Sequence, residues 1–145
     1  MSSHIIHFEN KQLEFKELSR DIRYKVFVVE QNVPESIEYD EYEDECRHYL
    51  LFADNIAVAT CRWRTTEKGV KLERFAVLKE HRGKGLGNKL VQHILDEVKS
   101  IGKPIYLHAQ EVVIPFYEML GFKIYGDVFI EADIRHFLMN YENPD

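Results

Sequence analysis

Three glycines at alternate positions, Gly83, Gly85 and Gly87, lie in the run RGKGLG at residues 82–87, with Arg82 and Lys84 beside them. Glycine has no Cβ, so this backbone can bend sharply and let a ligand approach closely, and the two cations favour negative charge. The run therefore predicts an anion site, with a phosphate as its natural ligand.

Two nucleotide-binding motifs do not match this run. It lacks the spacing G-x-x-x-x-G-K-[ST], and it is not a G-x-G-x-x-G placed at the first strand of a doubly wound fold. A strand-like stretch precedes it and a long helix begins near Leu86, so the free amides and the dipole of that helix suit a pyrophosphate. The alternative is a glycine-rich turn that only begins a helix, although each glycine adds an entropic cost.

The elements that must position the run follow from hydrophobic periodicity. The stretches HYLLFA, IAVATCRWRTT and VKLERFAVL are separated by turn residues at 54–55 and 67–69, and they predict an antiparallel meander. A helix follows and ends at Gly102 and Pro104, and IYLHA then predicts a buried strand that completes a βαβ unit. The apolar stripe of this helix comprises Leu86, Leu90, Val91, Ile94, Leu95 and Val98.

The outer segments complete the predicted order. HIIHF predicts a first strand, VIPFYEML a short helix with Pro115 in its first turn, and DVFIEADIRHFLMNY one or two final strands. LEFKELSRDIRYKVFVVEQ predicts an amphipathic helix, followed by an acidic loop, ESIEYDEYEDE. In that helix, Leu18, Ile22 and Val26 share the apolar face, and Lys16, Arg20 and Arg23 are expected to face solvent.

Length and composition restrict the class of protein. The 145 residues suit a single domain, 1–145, that buries a core without disulfides or metal. A net charge of −6 argues against a nucleic-acid partner, which requires a basic surface. No stretch suits a membrane span or a signal peptide, so we expect a cytoplasmic protein with no membrane partner. Cys46 and Cys61 lack zinc-site spacing and are expected to be reduced structural thiols.

The glycine run resembles the Q/R-x-x-G-x-G/A signature of the GNAT superfamily of N-acetyltransferases. LERFAV is similar to the fourth strand of that family, and FYEMLGF to its late helix with a tyrosine and a Gly-Phe turn. VFVVEQNVP, the acidic stretch, His48 and IRHFLM resemble the ElaA-like branch. The resemblance implies an α/β GNAT fold: a mixed central sheet with an antiparallel N-terminal meander, a βαβ acyl-CoA-binding core, and helices on both faces.

The resemblance also implies acetyl-CoA (coenzyme A) as co-substrate and no metal. In the family, amides of the loop and the first helical turn hold the pyrophosphate, and the fourth strand is splayed from the fifth so that its amides meet the pantetheine arm. On the strand, the corresponding residues are Phe75, Ala76 and Val77. On the loop and helix they are Arg82, Gly83, Lys84, Gly85, Leu86, Gly87 and Asn88.

Two residues are candidates for proton transfer. By resemblance, the Tyr117 phenol protonates the leaving thiolate; the alternative is a packed aromatic residue. Glu73 lies two residues before Phe75, so strand alternation predicts that both face the cofactor arm, where Glu73 removes an amine proton directly or through water. A carboxylate paired with Lys or Arg is an equally weighted alternative for Glu73. Glu30 and His136 are reserve candidates.

The implied acceptor is a primary amine on a small molecule or a peptide. The negative charges of Glu38, Asp40 and Asp44 would attract a cationic amine. The candidate substrate-binding residues are Glu30, Glu38, Asp40 and His136. A solvated charged loop is the alternative for the acidic stretch. A calcium site is a weaker alternative, because the pattern D-x-[DN]-x-[DN]-G is missing.

The implied reaction is direct acetyl transfer within a ternary complex. Two alternatives stay open, a non-catalytic acyl-CoA-binding regulatory module and an acyltransferase with a longer acyl donor. The edges of the predicted sheet offer a surface for a homodimer. The acceptor side is built from loops that vary on one scaffold, so the sequence does not identify the acceptor.

Overall fold

The computed structural model describes residues 2–142 and places a seven-stranded mixed sheet at their centre. The strands are β1 (Ser3–Phe8), β2 (Arg47–Ala53), β3 (Ile56–Thr66), β4 (Gly69–Val77), β5 (Ile105–Gln110), β6 (Phe122–Glu131) and β7 (Ile134–Tyr141). Their order is β1-β2-β3-β4-β5-β7-β6, and each neighbouring pair is antiparallel except β4 and β5. The predicted meander and the parallel pair around a crossover helix are confirmed.

Helices cover both faces of the sheet. They are α1 (Leu13–Arg23), α2 (Glu35–Glu38), α3 (Leu86–Val98) and α4 (Ile114–Met119), and a wider π-helical segment, Tyr24–Glu30, continues α1. Side chains of consecutive strand residues point to opposite faces. Accordingly, Leu50 packs in the core under α1, whereas Leu51 packs in the core under α3. The predicted apolar stripe of α3 is buried along its whole length.

Two side chains of α1 differ from the prediction. Leu18, expected on the buried face, is 37% exposed, and Arg23, expected in solvent, is only 2% exposed. Arg23 is buried because its guanidinium donates hydrogen bonds to the carboxylates of Glu38 and Glu43. A buried arginine requires such partners, since an unpaired charge inside a protein is strongly unfavourable.

Strands β4 and β5 pair over only three residues each. Val70–Leu72 pair with Ile105–Leu107, and beyond this point the strands separate. On its other edge, β4 carries a bulge opposite β3, where Arg74 has a φ of +58°. A bulge bends its strand, so the free half of β4 turns away from β5 and a V-shaped opening forms between them.

Among residues 2–142, no helix combines the length and the apolar character that crossing a bilayer requires. Cys46 and Cys61 are buried free thiols, and burial raises the pKa of Cys46 to about 12. Both cysteines thus contribute to packing, as the sequence predicted.

Candidate active site

A groove of about 690 Å³ opens where β4 and β5 separate. It is lined by the free half of β4, the glycine run, α4 and the β6–β7 turn. The predicted site residues that line it are Glu38, Glu73, Phe75, Ala76, Val77, Arg82, Gly83, Gly85, Leu86, Gly87, Asn88, Tyr117 and His136. Lys84, Glu30 and Asp40 are not among its lining residues. The fold therefore brings most of the predicted site into one cavity.

The glycine run forms the loop before α3. Gly83 and Gly85 have φ values of +80° and +77°, a left-handed conformation that other residues rarely adopt. The first helical hydrogen bond runs from the Lys89 amide to the Gly85 carbonyl, so the preceding amides of the first turn have no partner within the helix. Gly87 packs closely against α4, because a Cβ added to it would lie 3.5 Å from the Phe116 ring. Gly83, Gly85 and Gly87 line the groove, so the free amides of the loop lie beside it.

An amide of β4 also faces the opening. The Leu78 amide donates to the Val58 carbonyl on the β3 side. Because successive amides of a strand point to opposite edges, the Val77 amide faces the β5 side, where β4 has no neighbouring strand. This is the unpaired geometry that the resemblance implied for β4.

Arg82 is held beside the loop by two partners. Its guanidinium donates to both carboxylate oxygens of Glu30, at 2.7 and 3.0 Å, and to the Val77 carbonyl. Glu30, a candidate for acceptor binding, therefore lies next to the glycine run and neutralises one of its cations. Its role in acceptor binding stays a prediction.

Tyr117 projects from α4 among three aromatic rings. The ring centroids of Phe75, Phe116 and Phe122 lie 6.3, 5.0 and 5.7 Å from that of Tyr117. The side chain lines the groove, and its hydroxyl makes no hydrogen bond within residues 2–142. Burial raises the pKa of Tyr117 above its ordinary value, so the phenol is protonated at neutral pH. The geometry suits both a proton donor and a packing residue.

Glu73 is surrounded by cations. Arg62, Arg64 and Lys71 approach its carboxylate at 3.0, 3.1 and 2.9 Å. Burial alone would raise the pKa of Glu73, but these cations lower it below its ordinary value. The bulge at Arg74 also breaks the alternation that predicted Glu73 and Phe75 on one face: Phe75 packs against Tyr117, whereas Glu73 faces Arg62. The contacts match the paired-carboxylate alternative.

The acidic stretch turns inward onto buried arginines. Asp40 accepts hydrogen bonds from Arg62 and Arg74, and Glu43 accepts them from Arg23 and Arg62. Glu38 pairs with Arg23 and Arg74, while its Oε2 atom is buried without a partner among the described residues. Burial is the largest influence on Glu38 and raises its pKa. For these three carboxylates, the solvated-loop alternative is wrong.

Among the groove residues that the sequence did not predict are His108 on β5 and Glu131 at the end of β6. Glu131 Oε1 lies 3.3 Å from His108 Nδ1, and Glu131 Oε2 lies 4.0 Å from His136 Nε2. His136 was already a candidate from the sequence, and the signal for His108 is a histidine in the otherwise apolar strand IYLHA. Within residues 2–142, His, Cys, Asp and Glu side chains form no group of three that could hold a metal ion.

Comparison with known proteins identifies relatives along nearly the whole chain. Residues 7–143 match the family model described as acetyltransferase (GNAT) domain. The uncharacterized N-acetyltransferase YjcF of Bacillus subtilis is 36% identical over 121 residues, covering 81% of this chain and 86% of YjcF. The crystal structure of an acyl-CoA N-acyltransferase from Pseudomonas aeruginosa has a TM-score of 0.86 and 27% identity, and the match covers 97% of this chain and 100% of that one.

ElaA of Escherichia coli is similar in both sequence and structure. The two sequences are 32% identical over 127 residues, 83% of each chain. The ElaA crystal structure has a TM-score of 0.87, and the match covers 97% of this chain and 100% of that one. The splayed β4, the glycine loop before α3 and these matches agree, and the chain belongs to the GNAT acetyltransferase family, in its ElaA-like branch.

Proposed function

We propose that the protein is an acyl-CoA-dependent N-acyltransferase that transfers acetyl from acetyl-CoA to a primary amine, directly and within a ternary complex. The observation that carries this proposal is the continuity of the groove, which extends from the glycine loop along the free edge of β4 to Tyr117. The order of these three surfaces matches the order of the groups in acetyl-CoA, which are the pyrophosphate, the extended pantetheine arm and the thioester.

The donor is held chiefly by backbone. The unpaired amides of the first turn of α3 and the positive end of its dipole bind the pyrophosphate. Gly83 and Gly85 line the groove and hold the loop backbone in the left-handed conformation. The free edge of β4, including the Val77 amide, pairs with the pantetheine amides in the manner of an added strand. Arg82, neutralised by Glu30, contributes little net charge.

The chemistry requires one proton to leave the amine and one to reach sulfur. The amine nitrogen forms a bond to the acetyl carbonyl carbon, and negative charge develops on the carbonyl oxygen, where a free β4 amide stabilises it. The C–S bond then breaks, and the Tyr117 hydroxyl supplies the proton that the departing thiolate takes. Its hydroxyl has no competing partner within the described residues.

A matched pair of glycine variants tests the donor site. Gly85 and Gly102 share a φ of +77°, and a Cβ added to either meets no atom within 4 Å. Gly85→Val and Gly102→Val therefore impose the same backbone strain, about 1–3 kcal/mol. Gly85→Val should abolish CoA binding in calorimetry, because its side chain occupies the phosphate site, and Gly102→Val should leave binding unchanged. Equal CoA affinities in the two variants would refute the assignment of the loop.

A thiol-release assay tests turnover. Acetyl-CoA is incubated with the protein and a panel of small and peptide amines, and the CoA thiol is followed with a thiol reagent. The proposal requires thiol release that depends on an amine. Tight CoA binding without amine-dependent thiol release would instead show a regulatory binding module. Amine-dependent release from longer acyl-CoAs, but not from acetyl-CoA, would show a different donor.

A further inference from the structure

The face of the sheet opposite α3 carries a group of titratable side chains at the opening between β4 and β5. Leu107 and Ala109 of β5 pack in the core under α3, which also contains Tyr117, so the intervening His108 points to the other face. There it meets Glu131, which also faces His136 of β7. We call these three residues the His108–Glu131–His136 cluster. Tyr117 and the cluster thus line the same groove from opposite faces of the sheet.

The ring of His136 is fixed in one orientation. The residue is only 6% exposed, and its ring lies against Phe129 with centroids 5.8 Å apart and planes 23° apart. His136 Nδ1 lies 2.7 Å from the Ile134 carbonyl oxygen. A carbonyl accepts hydrogen bonds and cannot donate them, so Nδ1 carries the proton and Nε2 of the neutral ring keeps a free lone pair.

Resting on the proposed function, we infer that His136 Nε2 is the general base that takes the proton of the amine acceptor, and that Glu131 is a positioning residue that stabilises the resulting imidazolium. As the nitrogen–carbon bond forms, the amine proton moves to His136 Nε2. As the carbon–sulfur bond breaks, the thiolate takes its proton from Tyr117. One proton is removed on one face of the sheet and one is supplied from the other.

The charges around the cluster support this role. Glu131 is contributed by β6 and His108 by β5, and the positive charge of Lys71 on β4 also stabilises the Glu131 carboxylate. The hydrogen bond with His108 lowers the pKa of Glu131 to about 2, so this carboxylate is charged across the working pH range. This carboxylate lies 4.0 Å from Nε2, close to the positive charge that develops when Nε2 takes the amine proton. Glu73, by contrast, is already neutralised by three cations.

The test compares the histidine with an exposed control. We expect His136→Gln to lower kcat by about 10²-fold or more, the range for a positioned base, with CoA affinity and Tm near those of the wild type. The acidic limb of the kcat/KM profile should disappear. Glu131→Gln should lower kcat about tenfold at an unchanged KM for acetyl-CoA, because the imidazolium that forms during the reaction loses its carboxylate. His93→Gln, on the exposed side of α3, should retain the wild-type profile.

A second variant separates chemistry from packing. His136→Ala leaves space for a free imidazole, and added imidazole should restore a measurable part of its turnover. An unchanged acidic limb in His136→Gln, or failure of imidazole to restore His136→Ala, would overturn the inference while amine-dependent thiol release by the wild type upholds the proposed function. Absence of that release in the wild type would overturn both.

Discussion

Glu73→Gln distinguishes a base from a structural carboxylate, because the two roles predict opposite results. The substitution keeps the shape of the side chain and removes its charge. Three cations then lose a shared partner, at distances of 3.0, 3.1 and 2.9 Å in the wild type. We expect the fold to lose stability while the chemical step continues.

The size of the stability loss in Glu73→Gln depends on how completely the ion pairs of Glu73 are buried. Side-chain exposure is 5% for Glu73 and 1% for Arg62, so water does not replace the lost contact. Removing one partner of a buried pair typically costs about 3–5 kcal/mol. Arg62 retains Asp40 and Glu43, however, so we expect a cost below this range, about 2–3 kcal/mol. For a chain of this length that corresponds to a fall in Tm of roughly 8–12 °C.

The pH dependence gives a second readout. The cations lower the pKa of Glu73 from its ordinary value of 4.5, so pairing stabilises the fold above that pH and is lost as the pH falls through the lowered value. The Tm difference between wild type and Glu73→Gln should therefore be constant near neutrality and shrink in acid. Glu41→Gln, an exposed acid of the same acidic stretch, should change stability by less than about 0.5 kcal/mol.

Thermal denaturation and steady-state kinetics on one preparation decide between the roles. A Glu73→Gln variant with wild-type Tm and a hundredfold lower kcat would refute our reasoning and restore Glu73 as the base.

Two further substitutions probe the donor side and the fold. Tyr117→Phe keeps the ring among Phe75, Phe116 and Phe122, so CoA affinity and Tm should hold, while kcat falls by roughly 10²-fold or more. Full turnover would reduce Tyr117 to a packing residue, and the exposed Tyr125→Phe is its control. Gly69→Ala should destabilise the protein by about 3 kcal/mol or more in urea denaturation, because its Cβ would lie 2.2 Å from the Pro104 carbonyl oxygen at a φ of +134°. Gly102→Ala, with open space around its Cβ, should cost less, and equal losses would contradict the steric argument.

The sequence predicted the elements whose signals are local. The stripe of α3 repeats with the helical period, the β2–β3 turn at Asp54 and Asn55 adopts positive φ, and Gly83 and Gly85 adopt the left-handed conformation that their residue type favours. The family signature is similarly local, so the cofactor loop and Tyr117 could be placed by resemblance. Each of these features depends on a few neighbouring residues, which is why a single sequence was sufficient.

Features that depend on distant residues were not predictable. Arg23 was predicted at the surface, because nothing near it in the chain shows that carboxylates 15 and 20 positions away turn inward. The bulge at Arg74 requires positive φ in a residue type that does not favour it. The His108–Glu131–His136 cluster exists only through the register of three strands, which pairs Gln110 with His136 and Phe129 with His136.

The short pairing of β4 with β5 also bears on the mechanics of the molecule. Within residues 2–142, three residue pairs are the only strand pairing that joins the half-sheet β1–β4 to the half-sheet β5–β7. Few backbone hydrogen bonds hold the two half-sheets together at this junction, so their alignment depends mainly on the apolar core under α3, which contains residues of both halves. Under the proposed function, the pantetheine arm adds hydrogen bonds along the edge of β4 that β5 leaves free, so the bound donor extends the sheet where its own strands separate.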